Sequence, residues 1–265
     1  MSELLSTARG AITLDIPTLV RFRDTKDTFR RGLIILVLVG LILGAVEFAV
    51  VFIGGVFGPP PGAELAEARQ NLDQILRFMP PEAAQAVEGQ ILSIFESVIE
   101  IGQGIAALPT PLPRPVGNLF EALGAWLSQP LAMLGAFLAY GIWVMLAAKL
   151  LGGTGRLQEF LGTAALSSAP YLLLVLGWVP CLGSVLGLVA WVWSIVIWVG
   201  ATAVAHGWAD PVAAGEGGEA QYRVNWGRAI LAVILPVLAL VVLVIVVLGF
   251  FLVVGLIAST LGSGK

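Results

Sequence analysis

Residues 152–206 read GGTGRLQEFLGTAALSSAPYLLLVLGWVPCLGSVLGLVAWVWSIVIWVGATAVAH. From Phe160 to Ala205 there is no Asp, Glu, Lys or Arg. Two apolar runs lie back to back, joined by the short break Gly177-Trp178-Val179-Pro180-Cys181-Leu182-Gly183. Each run comes close to the ~20 residues that a helix needs to cross a bilayer. A soluble core has no use for so long an uncharged stretch. The segment therefore reads as a helical hairpin inside a membrane.

Composition agrees. The chain of 265 residues is 58% hydrophobic and 12% charged, against about 25% charged in soluble domains. The apolar excess has to face lipid. A formal net charge of −3 gives no basis for nucleic-acid binding. A single cysteine, Cys181, excludes an internal disulfide framework and a multi-cysteine metal site. The polar, charged first thirty residues make no cleavable signal peptide, so the first span is expected to serve as an uncleaved membrane address.

The remaining spans follow from the chain in order. Residues 1–15 carry no clear periodicity and are expected to fray. Ile16, Leu19, Val20, Phe22 and Phe29 alternate with Arg21, Arg23, Lys26, Arg30 and Arg31. That pattern suits a short helix on the membrane surface, or a plain juxtamembrane basic cluster that sets orientation. The arm, residues 1–31, precedes a membrane domain over 32–265. Its five spans are expected at about 33–57, 130–148, 160–178, 183–205 and 229–258. Pro130 is read as the first residue of the second span, where a helix tolerates proline. The last span exceeds a bilayer and must tilt or bend near Pro236. The polar residues 207–228 form a loop, with Trp208, Tyr222 and Trp226 suited to an interface.

Between the first two spans lies the one sizeable polar segment, a cap insertion over 58–129. Leu65, Leu72, Ile75, Leu76 and Met79 share a helical face. So do Val87, Ile91, Ile94, Phe95, Val98 and Ile101, opposite Glu82, Glu88, Glu96 and Glu100. Val116, Leu119, Phe120, Leu123 and Trp126 form a third short amphipathic helix after a proline-rich connector. With five spans the basic residues concentrate on the side of the N-terminal arm, so the N-terminus is expected in the cytoplasm. The cap and the C-terminus are then outside. The fold class expected is all-α: a polytopic five-span helical bundle with an extracytoplasmic amphipathic-helix cap.

The hairpin also resembles the membrane domain of the Yip family, the Ypt/Rab-interacting proteins, in its prokaryotic branch. The resemblance rests on the turn Gly152-Gly153-Thr154-Gly155, then Phe160, then small residues ending in Pro170. Pro180 with Leu182-Gly183 follows, and a Trp-rich span closes on His206. It is strongest over 152–206. The acidic-Tyr-Gly-Pro motif of the eukaryotic members is absent, which removes the ground for expecting Rab-type partners. The resemblance implies a non-catalytic, membrane-organising adaptor that binds other integral membrane proteins and membrane lipids, in the cytoplasmic membrane of a prokaryote. An accessory subunit of a larger membrane complex fits equally, and homo-oligomers are compatible with it.

Few residues could carry chemistry. Glu47 is a carboxylate inside the first apolar run, costly to ionise at membrane depth. It reads either as a proton or ion ligand, or as a neutral carboxyl bonded to Tyr140 or Ser194. The first choice makes the chain a small transporter or channel. His206 is either a lone ligand or an interfacial histidine; a single imidazole with no carboxylate or cysteine beside it is a weak metal site. Gly40/Gly44 and Gly183/Gly187 have the small-xxx-small spacing that lets helices pack closely in lipid. Nothing in the sequence assembles an active site, so neither an enzyme nor a cofactor is expected.

Overall fold

The computed structural model describes residues 7, 9–57, 97–98, 100–101, 104, 113–177, 179, 182–212 and 221–262, with side chains as far as residue 250. The protein is mostly helical. Its elements are α1 (Ile16–Arg23), α2 (Thr28–Phe57), α3 (Arg114–Leu150), α4 (Leu157–Ala164), a 3-10 helix (Ala165–Leu176), α5 (Leu182–Ala205), strands β1 (Ala209–Val212) and β2 (Gln221–Val224), and α6 (Trp226–Gly262). Five of these helical stretches are long and apolar enough to cross a membrane. Most of the expected cap, with Pro180, Cys181 and the last three residues, lies outside the described residues.

The chain divides into two compact units. One comprises residues 1–45 and 127–265, the other residues 46–126. In the second unit Phe48 stacks on Phe52 at 5.9 Å and meets Trp126 edge-on at 6.2 Å. Asn118 donates its amide to the Gly55 carbonyl at 2.6 Å.

The first unit is built around the α4 and 3-10 stretch. This is its most enclosed element, with 61% of its apolar window buried against 11–33% in the other four. The span expected as one α-helix over 160–178 is instead α-helix followed by twelve residues of 3-10 helix. Pro170 supplies the reason: it has no N–H, and its ring collides with the carbonyl four residues back in α geometry. The Ser168 hydroxyl donates to Ala165 O at 2.7 Å, three residues back. A run this long is uncommon in 3-10 form. At about 2.0 Å rise per 3-10 residue and 1.5 Å per α residue, residues 157–176 extend roughly 36 Å rather than 30 Å.

Glycines set the helix separations. A Cβ on Gly162 would stand 2.6 Å from the Thr28 carbonyl carbon and oxygen, and one on Gly32 would collide with the Gly162 carbonyl. The backbones of α2 and α4 are therefore in direct contact. The Thr28 hydroxyl at this crossing lies 2.6–2.9 Å from the carbonyls of Thr25, Arg23 and Phe22. Gly40 meets Pro130 in the same way, with a Cβ placed 2.6 Å from Pro130 Cα. Pro130 is not the first residue of its helix. It sits inside α3, which runs unbroken from Arg114 and so includes the third amphipathic helix expected in the cap. Gly44 is buried. A Cβ on Gly183 would collide with the Gly177 carbonyl, and one on Gly187 would lie 3.6 Å from Leu174 Cδ2. Both small-residue seams are thus used within this unit.

Trp198 is the aromatic hub of the core, 5.1 Å from Tyr140, 5.3 Å from Phe137 and 5.8 Å from Phe160 by ring centroid. The N-terminal arm docks on a second apolar cluster. Ala11, Leu19 and Phe22 are buried among Leu43, Leu166, Ile197 and Val204. Arg23 donates to Val204 O at 2.8 Å, and the Trp193 indole donates to Ile12 O at 2.7 Å. The arm's apolar face therefore packs on protein rather than lipid, and residues 9–15 are structured rather than frayed.

Two further corrections concern 207–228. The expected loop contains an antiparallel hairpin pairing Ala209 with Val224 through Val212 with Gln221. Trp208, expected at an interface, is buried. Asn225 then caps α6, its Oδ1 accepting the Arg228 N–H at 3.3 Å.

The glycine contacts make a direct prediction. Gly162→Ala should lower stability by about 1–3 kcal/mol, because the methyl meets backbone that cannot rotate away. Gly135→Ala, where nothing lies within 4 Å, should leave stability unchanged or slightly raised. Thermal melts of both variants in the same detergent compare the two.

Candidate functional site

Two places in the first unit gather the residues singled out in the sequence. The first is a knot around His206. Helix α3 ends in a Schellman motif: Gly153 N–H donates to Ala148 O (2.8 Å), Gly152 N–H donates to Lys149 O (3.1 Å), and Gly152 has φ +85°. Helix α5 ends in the same way, with Trp208 N–H on Ala203 O (2.9 Å), Gly207 N–H on Val204 O (3.4 Å) and Gly207 at φ +72°. The two ends interlock. Thr154 donates both its N–H (3.4 Å) and its hydroxyl (3.3 Å) to His206 O.

The His206 ring fills the space between them. It lies 5.3 Å from the Phe160 ring and 5.5 Å from Trp208. A Cβ at Gly153 would come within 2.5 Å of its Nδ1, and one at Gly155 within 3.0 Å. His206 is 1% exposed, and neither ring nitrogen has a hydrogen-bond partner. It is therefore a core residue, not an interfacial one. Burial, reinforced by the Lys149 charge, lowers its pKa to about 4. The imidazole is neutral near pH 7. Among the described residues no three His, Cys, Asp or Glu side chains come together as metal ligands.

The second place is a cavity of about 360 Å³ between α2, α3, the 3-10 helix and α5. Its polar lining is Gln129, Tyr140, Ser167, Ser168, Tyr171 and Ser194, facing Leu36, Met133, Phe137 and Trp198. Tyr140 and Ser194 are thus brought together as candidate polar residues. The Tyr140 hydroxyl donates to Val233 O at 2.6 Å, and Ser168 to Ala165 O. Ser167 and Ser194 are 3% exposed. Ser167 and the 3-10 geometry that turns it into the cavity were not legible as a site. The only signal was the pair Ser167-Ser168 ahead of Pro170. Gln129 and Tyr171 gave none.

Glu47 takes no part in either place. It belongs to the second unit, where its side chain is exposed. The Tyr140 hydroxyl, expected from the sequence as a partner for it, donates to Val233 O. Of the family-like motif, Gly152, Gly153 and His206 meet in the knot. Pro170 lies within the 3-10 helix and Gly183 in the hairpin turn. Pro180 lies outside the described residues.

The chain matches no protein-family model, no curated protein and no solved structure.

The knot predicts a pH dependence. His206 has a folded pKa of about 4, below its ordinary 6.5. A base with a depressed folded pKa gives stability that is fully present above about 6.5 and is lost as pH falls toward the folded value. The loss should reach roughly 3 kcal/mol near pH 4. His206→Phe should flatten the difference between melts at pH 7 and pH 5, while the native chain melts lower at pH 5.

Proposed function

We propose that the chain is a polytopic membrane protein with its N-terminus in the cytoplasm. Its work is to bind other integral membrane proteins, as an organising adaptor or an accessory subunit, in the manner the Yip resemblance implies. The supporting observation is α6. This helix has 37 residues and extends roughly 55 Å at 1.5 Å rise per residue. A bilayer core is only about 30 Å thick. Beyond Val233 its described side chains from Val237 to Phe250 are apolar or glycine and none is buried. A helix apolar all round needs lipid or protein on every side. The two small-residue seams are already used within the first unit, and α6 is the face we assign to a partner.

The order of the helix ends supports the orientation. Residues 23–28, 149–156, 204–208 and 224–228 meet at one end of the first unit, through Arg23 on Val204, Thr154 on His206 and Asn225 on Trp208. That end carries Arg23, Lys26, Arg30, Lys149, Arg156 and Arg228. Positive charge of this kind collects in the cytoplasm.

Two measurements test the reading. A photo-crosslinking residue at Val244 should capture one discrete membrane protein in fixed ratio after solubilisation in mild detergent. A chain that elutes alone and crosslinks only to lipid sinks the adaptor and subunit readings together. For orientation, Cys181 in intact cells should react with an impermeant thiol reagent. An Asp210→Cys variant carrying Cys181→Ser should react only after permeabilisation. The reverse pattern would invert the topology.

A further inference from the structure

The cavity between α2, α3, the 3-10 helix and α5 holds more hydrogen-bonding capacity than the protein uses. Ser167 and Ser194 are each 3% exposed. Neither hydroxyl is hydrogen-bonded to another described residue, whereas Ser168 beside them bonds to the carbonyl three residues back. Gln129 from α3 and Tyr171 from the 3-10 helix also line the space; both are half-buried and neither side chain is hydrogen-bonded to another described residue. Four polar groups therefore converge on one space without satisfying one another. Among the described residues the sealed, unpartnered side-chain atoms are the His206 nitrogens, so these four groups are not sealed in and stay within reach of a ligand.

The other walls are apolar and aromatic, with Leu36, Met133, Phe137 and Trp198 facing the polar groups. Among the described residues no Asp, Glu, Lys, Arg or His lines the cavity. Its volume of about 360 Å³ falls at the small end of ligand pockets. It equals roughly a dozen waters by liquid volume, enough for a small polar head with its first methylenes. Leu36 and Leu43 line it; they lie about 12–22 Å along α2 from Thr28. At that depth a charged head is disfavoured, and hydroxyls and amides are left to recognise hydroxyls and ester carbonyls.

We propose that this cavity binds the head of an uncharged glycerolipid, a diacylglycerol or monoacylglycerol. Ser167 and Ser194 donate to its ester carbonyls, Gln129 and Tyr171 meet its free hydroxyl, and Phe137 and Trp198 pack against its glyceryl and first acyl carbons. The acyl chains leave through the unsealed side of the cavity. This rests on membrane residence alone and not on the partner-binding reading.

The test uses the full chain in phosphatidylcholine nanodiscs with a photoactivatable diacylglycerol carrying a diazirine close to the ester. Labelling should map to peptides containing 129–140 or 167–174. Unlabelled diacylglycerol should compete, and phosphatidylglycerol of the same chains should not. Ser167→Ala with Ser194→Ala should cut labelling about tenfold with an unchanged or higher melting temperature without ligand, since it removes unpaired hydroxyls. Ala136→Phe, at an exposed position on the cavity rim, should block labelling without disturbing the core. Labelling spread evenly over exposed helix faces overturns the proposal. So does equal competition by phosphatidylglycerol. Labelling lost in Ala136→Phe but kept in the double alanine variant overturns it too, because that outcome describes acyl-chain filling without head recognition.

Discussion

Backbone-to-backbone contact is the constraint on which the first unit depends. Lipid tails are as apolar as the helix surfaces, so helices in a membrane gain little from hiding apolar area and must gain from close packing. Here closeness is set by the absence of side-chain atoms. Gly32 and Gly162 bring α2 onto α4, Gly40 admits the Pro130 segment of α3, and Gly153 and Gly155 admit the His206 ring. Each contact fixes a different pair of elements. Together they leave the 3-10 stretch enclosed and the cavity beside it open to filling.

Much of the architecture was legible because it follows from length and hydropathy. The five apolar stretches, the hairpin at Gly177–Gly183 and the Gly40 seam all come from local pattern. What was missed needed long-range geometry. Proline at the start of a helix and proline within one look alike in sequence, and the decision at Pro130 belongs to Gly40, ninety residues away. In a uniformly apolar run, periods of 3.0 and 3.6 cannot be told apart, so the 3-10 helix after Ala164 was invisible. His206 looked interfacial because it ends a span. Its burial depends on a turn that begins at Gly152.

The candidate sites divide along the same line. Glu47 drew attention because one charge in an apolar run is conspicuous, yet its side chain is exposed and joins no cluster. The serines drew little because each is ordinary in a helix. Their significance comes from the cavity that the 3-10 stretch, α3 and α5 enclose around them. Sequence reveals an expensive group readily, and an unsatisfied one only once its neighbours are in place.

The two hydrogen bonds that tie the arm to the bundle, Arg23 to Val204 and Trp193 to Ile12, each join residues 181 positions apart. At a synthesis rate of roughly 5–20 residues per second, about 10–35 seconds separate emergence of the arm from emergence of its docking site. Throughout that interval the arm's arginines have the arm's own carboxylates as partners, Asp15 for Arg21 and Asp24 for Arg23. The segment synthesised first therefore waits for residues made much later before it can join the core.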